Sequence, residues 1–178
     1  MHNTSVWHYG WICGIVLSFT LVGGVKPVGA AKAKETPQYP TMSEAEKNAF
    51  LAQPLVARLA VVRDDGTPQV TPMWFLYEDG VLYMSTHVKR AKAKHIKNNP
   101  RVAVAIDVME APLKNKIVII EGPAELVTTG VKEMTTRIYK KYLGVEGTKT
   151  PRAQQNINAE RILIKITPVV VQTMDTTK

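Results

Sequence analysis

Short stretches of alternating or β-branched apolar residues, each bounded by turn residues, recur along the chain after residue 54. Six of them predict strands, at residues 55–62, 69–77, 81–85, 102–108, 117–127 and 161–174. Asp65-Gly66 and Asp79-Gly80 separate the first three and are hairpin signals, so we expect three consecutive antiparallel strands. In the fifth stretch, Gly122 next to Pro123 predicts a bulge at which the strand bends.

Three other segments have the end signals or the apolar spacing of helices. Ser43 and Glu46 form a capping-box pair at the start of the first, which ends before Pro54. The second covers residues 89–98 and the third residues 131–143. Six strands with a few short helices predict a mainly β fold, in the form of a small antiparallel barrel.

The first 33 residues have the layout of a signal peptide. Residues 11–25 are uncharged, a run shorter than the roughly 20 residues that span a bilayer, and small residues around Ala30 and Ala33 then offer cleavage sites. We therefore expect a signal peptide at 1–33, a linker at 34–42, a folded domain at 43–178, and export to the periplasm or medium without a stable membrane span. Because no Lys or Arg precedes Trp11, a membrane-anchored or cytoplasmic chain is the alternative.

Length, charge and cysteine content narrow the chemistry. The chain has 178 residues, 45% of them apolar, which is enough for one domain with its own core. Its formal charge of +8 favours an anionic partner. Cys13 is the single cysteine, which excludes an intramolecular disulfide, a cysteine zinc site and a CxxC redox motif.

The sequence contains none of the common metal-binding, hydrolase or nucleotide-binding motifs. His87 and His95 have no further ligand at metal-binding spacing, so no metal site is expected, although haem ligation by either histidine stays open. No Ser/His/acid set, paired carboxylates, GxxxxGK[ST] or GxGxxG motif occurs, which argues against a hydrolase and against common nucleotide sites.

An anion site is indicated where the third strand meets the second helix. Ser85 and Thr86 end the strand, and Arg90 and Lys92 stand at the helix start, where free N–H groups and the helix dipole favour a phosphate. The alternative is a solvated basic helix face. Nucleic-acid binding by residues 89–97 would be non-specific, since no aromatic residue is interleaved.

Several segments together resemble one family. They are residues 56–62, 65–68 and 70–75, Ser85-Thr86, Lys92, residues 99–102, Glu121-Gly122 and residues 161–168. In order and spacing they are similar to the pyridoxamine 5′-phosphate oxidase-like, FMN-binding split β-barrel superfamily, and most similar to its small oxidoreductases that use FMN or the deazaflavin coenzyme F-420. The resemblance covers about residues 43–175 and implies a six-stranded antiparallel split barrel with Greek-key order.

The resemblance also implies which residues contact the cofactor. Its flavin or deazaflavin ring would lie along the edge formed by Pro72, Met73 and Trp74. The alternative for Trp74 and Phe75 is packing in the core, and it must hold for one of the two, because adjacent strand residues point to opposite sides.

The cofactor's phosphate or ribityl chain would meet Ser85 and Thr86, and Arg90 and Lys92 would neutralise the phosphate. His95 stands where many members of the family have Asn, which leaves a contact from that side chain in doubt.

The function implied is hydride transfer between bound FMN or coenzyme F-420 and a small organic substrate, in a homodimer with the cofactor at the interface. No side chain is expected to be catalytic, because the cofactor carries the chemistry. The oxidases that act on vitamin B6 have a further C-terminal segment at the substrate site, so we expect another substrate. A non-catalytic flavin- or haem-binding protein is the alternative.

Overall fold

A computed structural model describes residues 39–112 and 114–178. The expected signal peptide and most of the expected linker lie outside the described residues. Where the linker is described, Met42 N donates to Thr173 Oγ1 at 2.9 Å, and Pro40 O accepts from Asp175 N at 2.8 Å. These residues therefore lie along the C-terminal strand. Within the described part of the chain, no helix is long and apolar enough to cross a membrane.

Eight strands and four helices make up the described fold. The strands are β1 (Ala57–Val62), β2 (Pro68–Met73), β3 (Phe75–Glu78), β4 (Val81–His87), β5 (Arg101–Glu110), β6 (Lys114–Val127), β7 (Arg161–Ile166) and β8 (Val170–Asp175). The helices are α1 (Glu44–Ala52), α2 (Ala91–Asn98), α3 (Val131–Thr148) and α4 (Pro151–Ile157).

All strand pairs are antiparallel. The order is β2-β1-β5-β6-β7-β4-β3, and β8 pairs with β6 beside this path. Strands β2 and β3 are consecutive in the chain but stand at opposite ends of the order, so the sheet is not closed. The expected mainly β, antiparallel barrel-like fold with a split is confirmed.

The expected number of six strands was too low, because two predicted strands each divide. The second divides at Trp74: β2 pairs with β1 on one side of it, and β3 pairs with β4 on the other. The last divides at residues 167–169, so that β7 pairs with the second half of β6 and β8 with the first. Alternation alone does not show where a strand changes partners.

The predicted bulge at Gly122 was wrong. The β5–β6 register runs without an inserted residue from Arg101↔Pro123 to Glu110↔Lys114. The glycine is needed for close approach instead, since a Cβ on Gly122 would lie 2.2 Å from the carbonyl oxygen of Thr167. The connection from β7 to β8 passes over this point, where Val169 N donates to Glu121 O at 2.8 Å.

Helix boundaries follow local signals. The capping box of α1 is present, with Ser43 N donating to Glu46 Oε2 at 2.7 Å. The third helix extends past the predicted residue 143, and Gly144, at φ 69°, interrupts its helical geometry. The prediction missed α4, although Thr150 at its N-cap and Pro151 in its first turn are start signals.

The core lies between the two halves of the sheet. It is formed by side chains with almost no solvent exposure, among them Leu59, Phe75, Leu82, Met84, Val104, Ile106, Val118, Ile120, Ile164 and Ile166. Helix α3 lies outside this core against β3, β4 and β7. The surface of the sheet under α3 holds four of the predicted site residues, Pro72, Met73, Trp74 and Ser85.

Candidate functional site

A cavity of about 220 Å³ lies between α3 and the sheet. It is lined by Pro72, Met73, Trp74, Ser85, Ile138, Tyr139 and Arg161, and we call it the proximal cavity. Four of the seven predicted site residues, Pro72, Met73, Trp74 and Ser85, therefore come together. They lie on β2, on the residue between β2 and β3, and on β4, which the division of the sheet at Trp74 brings beside one another.

Ser85 is held from two sides. Its Oγ lies 2.7 Å from Thr135 Oγ1 on α3 and accepts a hydrogen bond from Arg161 Nε at 2.8 Å. Arg161 Nη2 also donates to the Ser85 carbonyl oxygen at 2.8 Å. Ser85 and Thr135 are both buried, so α3 is fixed to β4 by a buried polar contact at this cavity.

Arg161 is the main residue that sequence reasoning missed. It begins β7, and in the sequence it is a single charge before an alternating strand. Only the β4–β7 pairing, which sets His87 opposite Arg161, brings the guanidinium to Ser85. Tyr139 and Ile138 were missed for a similar reason, since their helical spacing indicates packing and not the cavity that they line.

Positive charge is concentrated around Arg161, the cation that lines this cavity. Burial lowers the pKa of Lys92, and the charges of Arg90 and Arg161 lower it further. Burial also lowers the pKa of Arg161, an effect that Tyr139 partly opposes. Among the described residues, no carboxylate forms an ion pair with these three cations.

The start of α2 adds to this positive charge. Arg90 is the N-cap, no side chain caps the helix, and the first turn carries no acidic residue. The charges of Arg90 and Arg161 both act on Lys92, so the three cations, with no acidic partner in the described structure, form one cluster next to the N–H groups at the start of α2, an arrangement that stabilises an anion. Arg161 lines the proximal cavity, whereas the predicted site residues Arg90 and Lys92 do not.

Thr86 does not line the proximal cavity. It is 4% exposed and lies on the same face of β4 as the core residues Leu82 and Met84, whereas Ser85 faces α3. Of the two adjacent hydroxyl residues, the structure therefore brings only Ser85 to the cavity.

Trp74 is fixed by two tyrosines of α3. Its ring stacks on Tyr142 with centroids 4.6 Å apart and planes at 6°, and it meets Tyr139 edge-on at 5.1 Å. Phe75, the next residue, is fully buried, as the alternation of the strand predicts.

A second cavity, of about 320 Å³, begins at the rings of Trp74 and Tyr139, and we call it the distal cavity. It is lined by Trp74, Tyr139, Leu143, Thr150, Arg152, Ala153 and Asn156.

Tyr142 and its neighbour Lys141 connect α3 to the rest of the domain. Tyr142 Oη accepts from Phe75 N at 3.1 Å and donates to Leu55 O at 2.6 Å, and burial raises the pKa of Tyr142 to about 12. Lys141 Nζ donates to Leu51 O at 2.8 Å and lies 3.6 Å from the centroid of the Phe75 ring. Burial lowers the pKa of Lys141 to about 8.

The two histidines of the domain make local contacts. His87 Nδ1 accepts from Lys89 N at 3.2 Å, and His95 Nδ1 is 3.8 Å from Asp64 Oδ1. No group of three or more His, Cys, Asp or Glu residues suited to a metal ion occurs in residues 39–112 and 114–178.

The chain is similar to one known protein family. A family model described as pyridoxamine 5′-phosphate oxidase matches residues 43–175. The comparison with curated proteins gave no match.

Solved structures similar to this chain come from several bacteria. A conserved hypothetical protein of Mycobacterium tuberculosis is 26% identical, with a TM-score of 0.69, over 80% of this chain and 90% of that chain. An F-420 reductase is 30% identical, with a TM-score of 0.58, over 70% of this chain and 94% of that one. An FAD-binding protein of Mesorhizobium loti, 23% identical with a TM-score of 0.55 over 75% of this chain and 95% of that one, shares the fold.

Proposed function

The chain belongs to the pyridoxamine 5′-phosphate oxidase family, and from that premise we propose that it is an oxidoreductase that transfers hydride between bound FMN or coenzyme F-420 and a small organic substrate. The observation that carries the proposal is the cationic cluster of Arg90, Lys92 and Arg161, which reaches the proximal cavity through Arg161 and has no acidic partner among the described residues. Both cofactors have a flat ring and a chain that carries a phosphate. The cationic cluster corresponds to the phosphate, and the wall formed by Pro72, Met73 and Trp74 corresponds to the ring.

The donor set suits a phosphate. Two guanidinium groups and an ammonium group provide charge-assisted hydrogen bonds, and the start of α2 provides N–H groups. Lys92 is half-buried, so its charge is poorly solvated in the free protein. A phosphate at this position would restore the lost solvation, and we infer that much of the affinity for the cofactor arises here.

The other residues of the cavity would position the ring. Pro72, Met73 and Trp74 would form one wall, and Trp74 is already immobilised by Tyr142, so little side-chain freedom would be lost on binding. Met73 and Ile138, both buried, would exclude water from that wall. When bound, a flavin or deazaflavin supplies the ring position that accepts or delivers hydride.

Between the two cofactors, the similarity to an F-420 reductase over 94% of that chain supports coenzyme F-420 as the first to test. FMN has the same ring shape and phosphate and is the second. The volume of the proximal cavity does not separate the two cofactors, because the tail of coenzyme F-420 would extend beyond it.

We further propose that two copies of the chain complete the site. The proximal cavity, at about 220 Å³, is smaller than the ~300–1,000 Å³ of cavities that enclose a ligand. A partner surface would cover the exposed side of the ring. Light scattering of the purified chain would give a dimer mass, and a monomer with full cofactor affinity would refute this part.

We also propose export, on the strength of residues 1–33. N-terminal sequencing of the protein from its native host is expected to show cleavage after Ala30 or Ala33. An intact Met1 in a cytoplasmic fraction would refute export.

The test of the main proposal is direct. The full chain is titrated with coenzyme F-420 and with FMN while the fluorescence of each cofactor is followed, and the reduced complex is then mixed with quinone and nitroaromatic acceptors. We expect tight binding of one cofactor and its reoxidation by an acceptor. Binding without reoxidation would indicate a non-catalytic flavin-binding protein, and binding of neither cofactor would overturn the proposal.

A further inference from the structure

The distal cavity is separate in character from the proximal one. The two share only Trp74 and Tyr139, and the remaining lining of the distal cavity comes from the end of α3 and from α4. It has an apolar side, formed by Leu143 and the buried Ala153, and a polar side, formed by Arg152 and Asn156.

The polar side offers donors that the rest of the described structure does not use. Lys149, the neighbouring cation, pairs with Glu146 at 2.7 Å, whereas Arg152 forms no ion pair within residues 39–112 and 114–178. The half-buried side-chain amide of Asn156 likewise has no hydrogen-bond partner in the described residues. By contrast, Thr150 Oγ1 is engaged, since it donates to Gly147 O at 2.9 Å.

We propose that the distal cavity binds the organic substrate, and that this substrate is a small planar carboxylate whose acidic group pairs with Arg152. The placement rests on the proposed function, since a hydride acceptor has to lie next to the cofactor ring, and the Trp74–Tyr139 pair is where the two cavities meet. A guanidinium group matches a carboxylate with two parallel hydrogen bonds, and Leu143 and Ala153 contact the apolar part of the ligand.

The size of the cavity limits the ligand. Its volume of about 320 Å³ is at the lower end of the ~300–1,000 Å³ of ligand cavities. One aromatic ring with a short unsaturated acid fits this volume, and the ring of Tyr139, which lines the cavity, provides an aromatic surface for it to pack against.

The test uses cinnamate and its neutral analogue cinnamamide, which differ only at the acidic group. We expect isothermal titration calorimetry of the full chain without cofactor to show that cinnamate binds about tenfold more tightly than cinnamamide, a difference of about 1.4 kcal/mol. In Arg152→Gln this preference disappears while cinnamamide binding is unchanged. Lys149→Gln is the matched control, because it removes a nearby exposed cation outside the cavity, and it keeps the preference.

Three results would overturn the proposal. The native chain could bind the two probes equally or not at all, or Arg152→Gln could keep the preference for cinnamate over cinnamamide. The third result is a loss of cofactor affinity in Arg152→Gln. The last would assign Arg152 to the cofactor. Titration of the same variant with coenzyme F-420 and FMN keeps this inference distinct from the proposed function. If neither cofactor binds the native chain but the Arg152-dependent preference is present, the hydride-transfer function fails and the carboxylate site stands.

Discussion

Arg161 and Ser85 are joined by two hydrogen bonds of 2.8 Å, one from Nε to the Ser85 hydroxyl and one from Nη2 to its carbonyl oxygen, although 76 residues separate them in the chain. The guanidinium is therefore fixed to the backbone of β4 before any ligand arrives. A cation held in this way is pre-organised for an anion, because no flexible side chain has to be ordered on binding.

Replacing Arg161 is expected to weaken the cofactor site while leaving the fold intact. Arg161→Gln removes a charge-assisted contact worth about 1.5–3 kcal/mol, so the affinity for coenzyme F-420 or FMN should fall roughly 10- to 100-fold. Fluorescence titration measures the change. Arg63→Gln, at an exposed turn, serves as the control and should bind like the native chain. Native affinity in Arg161→Gln would contradict the assigned role.

Cofactor affinity should also decrease at alkaline pH. Burial, with the charges of Arg90 and Arg161, lowers the pKa of Lys92 below its usual value of 10.5, and only the protonated amine neutralises a phosphate. The dissociation constant should therefore rise as pH increases through the pKa of Lys92. In Lys92→Arg the rise should be absent up to pH 10.5. A pH profile identical in the native chain and Lys92→Arg would argue against Lys92 as the titrating group.

How far the sequence predicted this site depends on whether the signal was local. Ser85, Arg90 and Lys92 could be predicted because a strand end and a helix start are visible in the chain as hydroxyl and basic residues close together. Thr86 shares that local signal, yet the alternation of β4 turns it into the core.

Arg161 could not be found in this way. Its role depends on the register between β4 and β7, which involves residues far apart in sequence. The number of strands was underestimated for the same reason, since the division of one apolar stretch at Trp74 reflects which strands pair with its two parts and not a change in its composition.

The hydroxyl of Tyr142 is expected to contribute measurably to stability. Tyr142→Phe leaves the ring to stack on Trp74 but removes the acceptor of Phe75 N–H and the donor to Leu55 O. A loss of about 1–3 kcal/mol in the free energy of unfolding follows from leaving such groups unpaired. Urea denaturation would measure it, with Tyr39→Phe at an exposed position as the control. Equal stability of Tyr142→Phe and the native chain would show that water replaces both bonds.

Lys141 should make stability increase with pH in a defined interval. Burial lowers its pKa to about 8 from 10.5, so between these values the unfolded chain holds a proton that the folded chain has released. The free energy of unfolding of the native chain, relative to Lys141→Met, is therefore expected to rise from pH 8 to 10. Tyr142 does not interfere there, because its pKa near 12 in the folded chain reduces stability only above pH 10. A constant difference between the two proteins would refute the shift.

Gly122 should tolerate no side chain. A Cβ would lie 2.2 Å from the Thr167 carbonyl oxygen, which is backbone and cannot rotate away. Gly122→Ala is expected to lower the free energy of unfolding by about 1–3 kcal/mol, as overpacking does. Thermal unfolding of this variant, beside Gln172→Ala on the exposed part of β8, would measure the loss. An unchanged melting temperature would mean that the β7–β8 connection moves freely.

The position of β6 at the junction of the two halves of the sheet sets the sequence of events in folding. The hairpins β1–β2 and β3–β4 are complete by residue 87, but β1 also pairs with β5 and β4 with β7. In the strand order the two hairpins are joined through β5, β6 and β7, so the sheet cannot connect them until β7, which ends at Ile166, has been made. Because the β1–β5, β4–β7 and β6–β7 pairings connect distant segments, a nascent chain has to keep two separate hairpins exposed until nearly all of it has been synthesised.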